Sequence, residues 1–103
     1  MIEAVLQRLV LARLLELGLF VWRQNTGKAQ MRGQWVQFGL PGQADITGLL
    51  PNGRRLEVEL KSDSGRLSAE QRAFAARIRA AGGLYIAART LDEVLTPVLE
   101  AIQ

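Results

Sequence analysis

Ala44-Asp45-Ile46-Thr47-Gly48-Leu49-Leu50, Pro51-Asn52-Gly53 and Arg54-Arg55-Leu56-Glu57-Val58-Glu59-Leu60-Lys61 read in succession as a strand, a turn and a second strand. Side chains of a strand alternate between faces. Leu56, Val58 and Leu60 therefore share one face and belong in a core, while Glu57, Glu59 and Lys61 share the other. The Asn52-Gly53 turn makes the two runs an antiparallel hairpin. Pairing back from that turn sets Asp45 near the far end of the second arm, beside Glu59 and Lys61. An E-x-E-x-K strand is ordinarily a solvated face whose charges pair across strands. Here the first arm contributes an acid at the same end, so two carboxylates and an amine converge. Two carboxylates can hold a magnesium ion at about 2.1 Å with positions left for water and a phosphate oxygen. A bound ion acidifies water and neutralises charge on a phosphoryl transition state. A neighbouring lysine orients the water or stabilises developing charge.

Upstream of the hairpin, residues 2–17 predict a helix, apolar nearly all round and so expected to be largely buried. Glu3, Gln7, Val10 and Leu14 fall on one stripe of it, and Gly18 is its stop. Residues 20–25 alternate like a strand, with Arg23 and Asn25 on one side. Residues 26–33 read as a polar, flexible loop, 34–38 as a short strand, and Gly39-Leu40-Pro41-Gly42 as a turn.

Downstream, residues 62–65 form a polar loop. Ser68 with Gln71 three positions on is a capping box that opens a helix ending near Ala81, before Gly82-Gly83. Residues 84–88 predict a buried strand. Thr90 with Glu93 caps a last helix, which Pro97 should kink or restart, with Thr96 as a possible new cap. The pattern as a whole predicts one α/β domain over residues 1–103, a small mixed sheet flanked by helices.

Composition narrows the chemistry. The chain has 103 residues, with no cysteine and no histidine. That removes disulfides, thiolate metal sites, histidine-ligated zinc and histidine-based triads. A metal would need oxygen ligands, which favours magnesium or manganese. The net charge is +3, carried almost wholly by arginine, with Lys28 and Lys61 the only lysines. Arginine forks suit phosphate oxygens, although a GC-rich genome would give the same bias. No run is long and apolar enough to span a bilayer and no cleavable leader is visible, so the cytoplasm is the expected compartment.

Asp45, which precedes Glu59-Leu60-Lys61 by 14 positions at Glu59, resembles the D…(D/E)-x-K signature of the PD-(D/E)XK nucleases. Residues Gly39 to Gly48, Glu57 to Lys61, Gly65-Arg66-Leu67-Ser68-Ala69-Glu70-Gln71 and Gly82-Gly83-Leu84-Tyr85 are together similar to the virus-type replication-repair nuclease (VRR-NUC) domain in its stand-alone phage or bacterial form. The resemblance spans nearly the whole chain. Ala44 stands where the superfamily has proline, and Leu60 where valine is commoner. The resemblance implies a restriction-endonuclease-like αβββαβ core and a Mg2+- or Mn2+-dependent deoxyribonuclease. It implies metal ligation by Asp45 and Glu59, with the Val58 or Leu60 carbonyl as a third ligand. It gives Lys61 the positioning of the nucleophilic water, and it brings Gln71 and Glu3 into the catalytic centre. Gln71 also has its capping role, and Glu3 a favourable place at a helix N-terminus. Glu57 is expected to pair with Arg55 or Arg23 rather than bind metal. Arg23, Asn25, Lys28, Arg32 and Arg66 are candidate DNA-phosphate contacts or ordinary surface charges. Trp22 and Trp35 are expected in the core or at a dimer contact, with base stacking as the alternative.

The implied activity is structure-selective cutting of Holliday-junction-like or flap DNA by a homodimer. A non-catalytic DNA-binding module that keeps the fold, and a sequence-reading restriction enzyme, are the competing readings.

Overall fold

The computed structural model describes residues 2–24 and 27–103, and at positions 27, 28, 37 and 38 the backbone alone. Its centre is the hairpin of β4 (Ile46–Leu49) and β5 (Arg55–Leu60). The pairs run Ile46 with Val58, Thr47 with Glu57, Gly48 with Leu56 and Leu49 with Arg55. A three-residue loop, Pro51-Asn52-Gly53, closes it: the Leu50 amide donates to the Arg54 carbonyl at 2.8 Å and Gly53 N to Leu50 O at 2.9 Å. Asn52 Oδ1 accepts from Arg54 N at 3.0 Å, which locks the turn. β1 (Phe20–Arg23) pairs antiparallel with β4, and β6 (Leu84–Ala88) pairs parallel with β5. The mixed sheet has the order β1-β4-β5-β6.

The sheet is covered on both faces. On one, α1 (Glu3–Glu16) and α3 (Leu91–Ala101) lie side by side. Leu6, Val10 and Leu14 of α1 and Val94 and Val98 of α3 meet Leu56, Val58 and Leu60 there. Burying each such aliphatic side chain contributes about 1.5–3 kcal/mol. On the other face α2 (Ala69–Ala80) sets Ala75, Phe74 and Ile78 against Ala44 and Tyr85. The face carrying Glu57 and Glu59 is consequently not solvated: they are 0% and 4% exposed. A plain surface ladder of charges is excluded.

Three expectations need correction. Helix α1 is buried along one stripe rather than all round, and Leu9 and Leu15 are exposed on its outer side. It is packed by β1, β5 and α3, which touch one side of it. Pro97 neither ends nor restarts α3, which continues from Leu91 to Ala101. Val94 and Val98, wholly buried on either side of the proline, hold both halves to one core. Thr90 does cap it, accepting from Glu93 N at 3.2 Å, but the Glu93 carboxylate accepts from Arg89 N at 2.9 Å, one residue further out than a simple box.

The third correction concerns the segment expected to be a loop. Gly27–Met31 is a strand, β2, paired antiparallel with β3 (Gln34–Phe38) in a separate two-stranded ribbon. Arg32 and Gly33 turn it with φ of 51° and 77°. Positive φ at both centres of a two-residue loop is the turn that matches strand twist. Among the described residues no helix is long and apolar enough to cross a membrane.

Gly48 lies where β1 crowds β4. A Cβ there would sit 2.1 Å from the Phe20 carbonyl oxygen and 2.7 Å from Val21 Cα. Backbone atoms cannot yield as a side-chain tip can. Gly48→Ala is expected to destabilise the protein by about 1–3 kcal/mol or more, read as a lower urea midpoint with an unchanged slope.

Candidate active site

Asp45 immediately precedes β4, and the hairpin register places it across from Glu59. Leu60 N donates to Asp45 Oδ2 at 2.8 Å, so a side chain takes the place of the next ladder bond beyond the end of β4. The two carboxyl groups are close enough for the Asp45 charge to act on Glu59. Lys61 Nζ is 3.4 Å from Glu59 Oε2. Gln71 Nε2 donates to the same oxygen at 3.0 Å. Asp45, Glu59, Lys61 and Gln71 thus form one cluster, built by two hairpin arms and the first turn of α2.

The Gln71 side chain carries two jobs. Its Oε1 accepts from Ser68 N at 2.9 Å while the Gln71 backbone N–H donates to Ser68 Oγ at 3.1 Å, completing the capping box. That fixes the carbonyl end and leaves the NH2 end facing Glu59. The cap and the contact with Glu59 are both present.

Glu3 is placed differently. Its Oε1 accepts from Ser62 N at 2.9 Å, tying the N-terminus of α1 to the residue after Lys61. Its charge acts on Asp45 and Glu59. Even so, no group of three or more acidic side chains among the described residues is set to hold a metal ion. The structure brings together two acids, with Glu3 at the rim.

Electrostatics mark the pair. Burial raises the Asp45 carboxyl above its ordinary range, opposed by the Leu60 amide and assisted by Glu3. Burial, then the Asp45 charge, pushes Glu59 up to about 7, with Lys61 only partly compensating. Two acids and one base at the centre, with a third acid at the rim, leave an excess of negative charge in a poorly hydrated place.

Glu57 is separate from this cluster. Its Oε1 accepts from Thr47 Oγ1 at 2.9 Å and from Arg55 Nε at 2.8 Å. Burial still raises its carboxyl, with those bonds pulling the other way.

The candidate phosphate contacts fall into two groups. Arg23 is exposed at the end of β1, paired with Ile46 and so one position from Asp45. Arg66 is exposed on the segment between β5 and α2, just after Gly65, which lies against Lys61. Lys28 and Arg32 belong to the ribbon, at a register position opposite Gln37 and at the turn respectively. Asn25 lies outside the described residues. Trp35 is 71% exposed and Trp22 42%, so neither is a core residue. Trp22 stacks obliquely on Phe20, with centroids 5.1 Å apart.

Sequence reasoning missed Arg89. Its guanidinium donates to the carbonyls of Asp63, at 3.2 Å, and Gly65, clamping the loop that follows Lys61. Only its position just after β6, the parallel neighbour of β5, hinted at this. It also missed Tyr85, buried beside the acids, its hydroxyl raised by burial and then by Glu59, with Arg79 5.3 Å from the ring centroid.

The chain matches no protein-family model, curated protein or solved structure.

The Glu59 shift makes a pH prediction for metal-free protein. Between about 4.5 and about 7 the folded chain keeps a proton that the unfolded chain has released. Stability therefore falls as pH rises through that window and the penalty is complete above it. Its upper bound is roughly 3 kcal/mol. In chelator, unfolding midpoints should drop from pH 5 to pH 8, and Glu59→Gln should flatten the drop.

Proposed function

We propose that the chain is a metal-dependent deoxyribonuclease of the PD-(D/E)XK type, similar to stand-alone VRR-NUC domains, acting as a homodimer on branched DNA in the cytoplasm. The observation that carries this reading is the Asp45–Glu59 pair beside one lysine: both acids have raised proton affinity, Asp45 chiefly through burial and Glu59 through burial and the Asp45 charge. Such a pair is unfavourable alone, and a hard cation would relieve it. The order of elements lends support: with the ribbon set aside, it runs helix, three strands, helix, strand, and then α3.

The donor chemistry fits magnesium or manganese. Asp45 and Glu59 supply carboxylate oxygens. The Leu60 amide faces the β4 edge, and the carbonyl of the same strand residue faces that edge too. Leu60 is therefore preferred over Val58 as the third ligand. When bound, the ion would neutralise phosphate charge and acidify a water. The chain's own groups prepare for it. The Leu60 amide orients Asp45, Gln71 orients Glu59, and Glu3 steadies the backbone after Lys61. Lys61 presents an ammonium donor at the place where water attacks phosphorus. Hydrolysis then forms one P–O bond to water and breaks one P–O ester bond, leaving a phosphomonoester and a free hydroxyl. Arg23 and Arg66 flank that place and would hold backbone phosphates.

Purified protein should cut four-way-junction, fork or flap DNA faster than linear duplex in Mg2+ or Mn2+, and not in chelator. Asp45→Asn, Glu59→Gln and Lys61→Ala should each lower the rate about a hundredfold or more. DNA binding without cleavage by the unmodified protein in either metal would overturn the nuclease reading in favour of a binding module.

A further inference from the structure

We infer that the β2–β3 ribbon is a nucleic-acid arm rooted at the candidate active site, that Trp35 near its turn stacks on an unpaired base, and that this contact selects branched over linear DNA. The inference rests on the nuclease reading for its substrate, and on separate observations for its surface.

The ribbon is rooted at the site. Gln24 N donates to the Asp45 carbonyl at 2.8 Å, extending the β1–β4 ladder. The chain thus leaves the sheet at Gln24 and returns to it at Asp45. Beyond that root, β2 and β3 pack chiefly on each other. A two-stranded ribbon has the width that the major groove admits.

Its surface has an unusual combination of groups. Trp35 is 71% exposed and Met31 58%. An indole and a thioether left in water at such a level are held there against the hydrophobic effect. From Leu17 to Ala44 the sequence has no aspartate or glutamate, while Arg23, Lys28 and Arg32 are cationic. Arg32 is exposed at the turn. Cations attract the phosphate chain and an aromatic ring accepts the π-face of any base. A second copy of the chain fits worse as occupant, because a symmetric contact would set like charges against each other.

An indole stacks on a base that is free of its neighbours, and unpaired bases occur at forks and flaps rather than in intact duplex. The arm therefore supplies structure selectivity, and its root at Gln24 and Asp45 joins it to the candidate site.

The test uses the full chain with Lys61→Ala as background, so that DNA stays intact in Mg2+. Its affinity is measured for a fork carrying 2-aminopurine at the unpaired base and for a linear duplex of equal length. Trp35→Ala should weaken fork binding roughly tenfold, abolish quenching of the probe, and leave duplex binding nearly unchanged. Trp35→Phe should restore most of the preference. Arg32→Ala should weaken both DNAs alike and lower the salt slope by about one. Trp35→Ala with unchanged fork affinity would overturn the arm even if the unmodified protein cuts DNA. Trp35→Ala that splits a dimer in sedimentation, with fork preference retained, would also overturn it and assign the ribbon to a second copy. Fork preference lost in Trp35→Ala, with no cleavage by the unmodified protein, would keep the arm and sink the nuclease reading.

Discussion

The bond from the Leu60 amide to Asp45 Oδ2, 2.8 Å long, holds the site together. It replaces a missing rung of the β4–β5 ladder with a side chain, and so fixes an acid at a strand end where backbone pairing has run out. Everything nearby refers to it. Glu59 lies across from Asp45 because the register is set by the three-residue loop at Pro51-Asn52-Gly53. A slip of one residue would turn Leu56, Val58 and Leu60 out of the main core and put the acids in. The hydrophobic face and the acidic face therefore enforce the same register.

The cost of that arrangement is visible. Glu57 and Glu59 are buried on the α2 side, and both have raised proton affinity. Their solutions differ. Glu57 binds Thr47 and Arg55 through its Oε1, while its buried Oε2 has no hydrogen-bond partner among the described residues. Glu59 meets a neutral amide, one ammonium and a second acid, which leaves charge uncompensated. One strand thus carries two buried acids, two residues apart, distinguished by what stands opposite them.

Much of this was legible in the sequence. The alternation of Leu56 to Lys61 and the Asn52-Gly53 turn were enough to place Asp45, Glu59 and Lys61 together, because strand period and turn chemistry are local. The Ser68–Gln71 box was equally local. Features set by distant packing were not legible. Nothing within residues 3–16 says that only one stripe of α1 would find partners. Nothing within β5 says that α2 would cover its acidic face. Of the ribbon, β3 was legible as a short strand, but β2 reads as a loop because Gly27-Lys28-Ala29-Gln30-Met31 is polar and lacks apolar alternation. The usable signal was Arg32-Gly33, a two-residue turn between two runs of equal length. Arg89 escaped because its role depends on two backbone carbonyls of another loop.

The double duty of Gln71 ties a helix to the chemistry. One amide group fastens the start of α2 with its oxygen and Glu59 with its nitrogen. Any event that draws Glu59 away must either stretch that link or rotate the amide, and rotation would undo the fastening of the helix. The opening turn of α2 is in this way a mechanical gauge of the carboxylate, and deuterium uptake at its amides would register whatever the carboxylate binds.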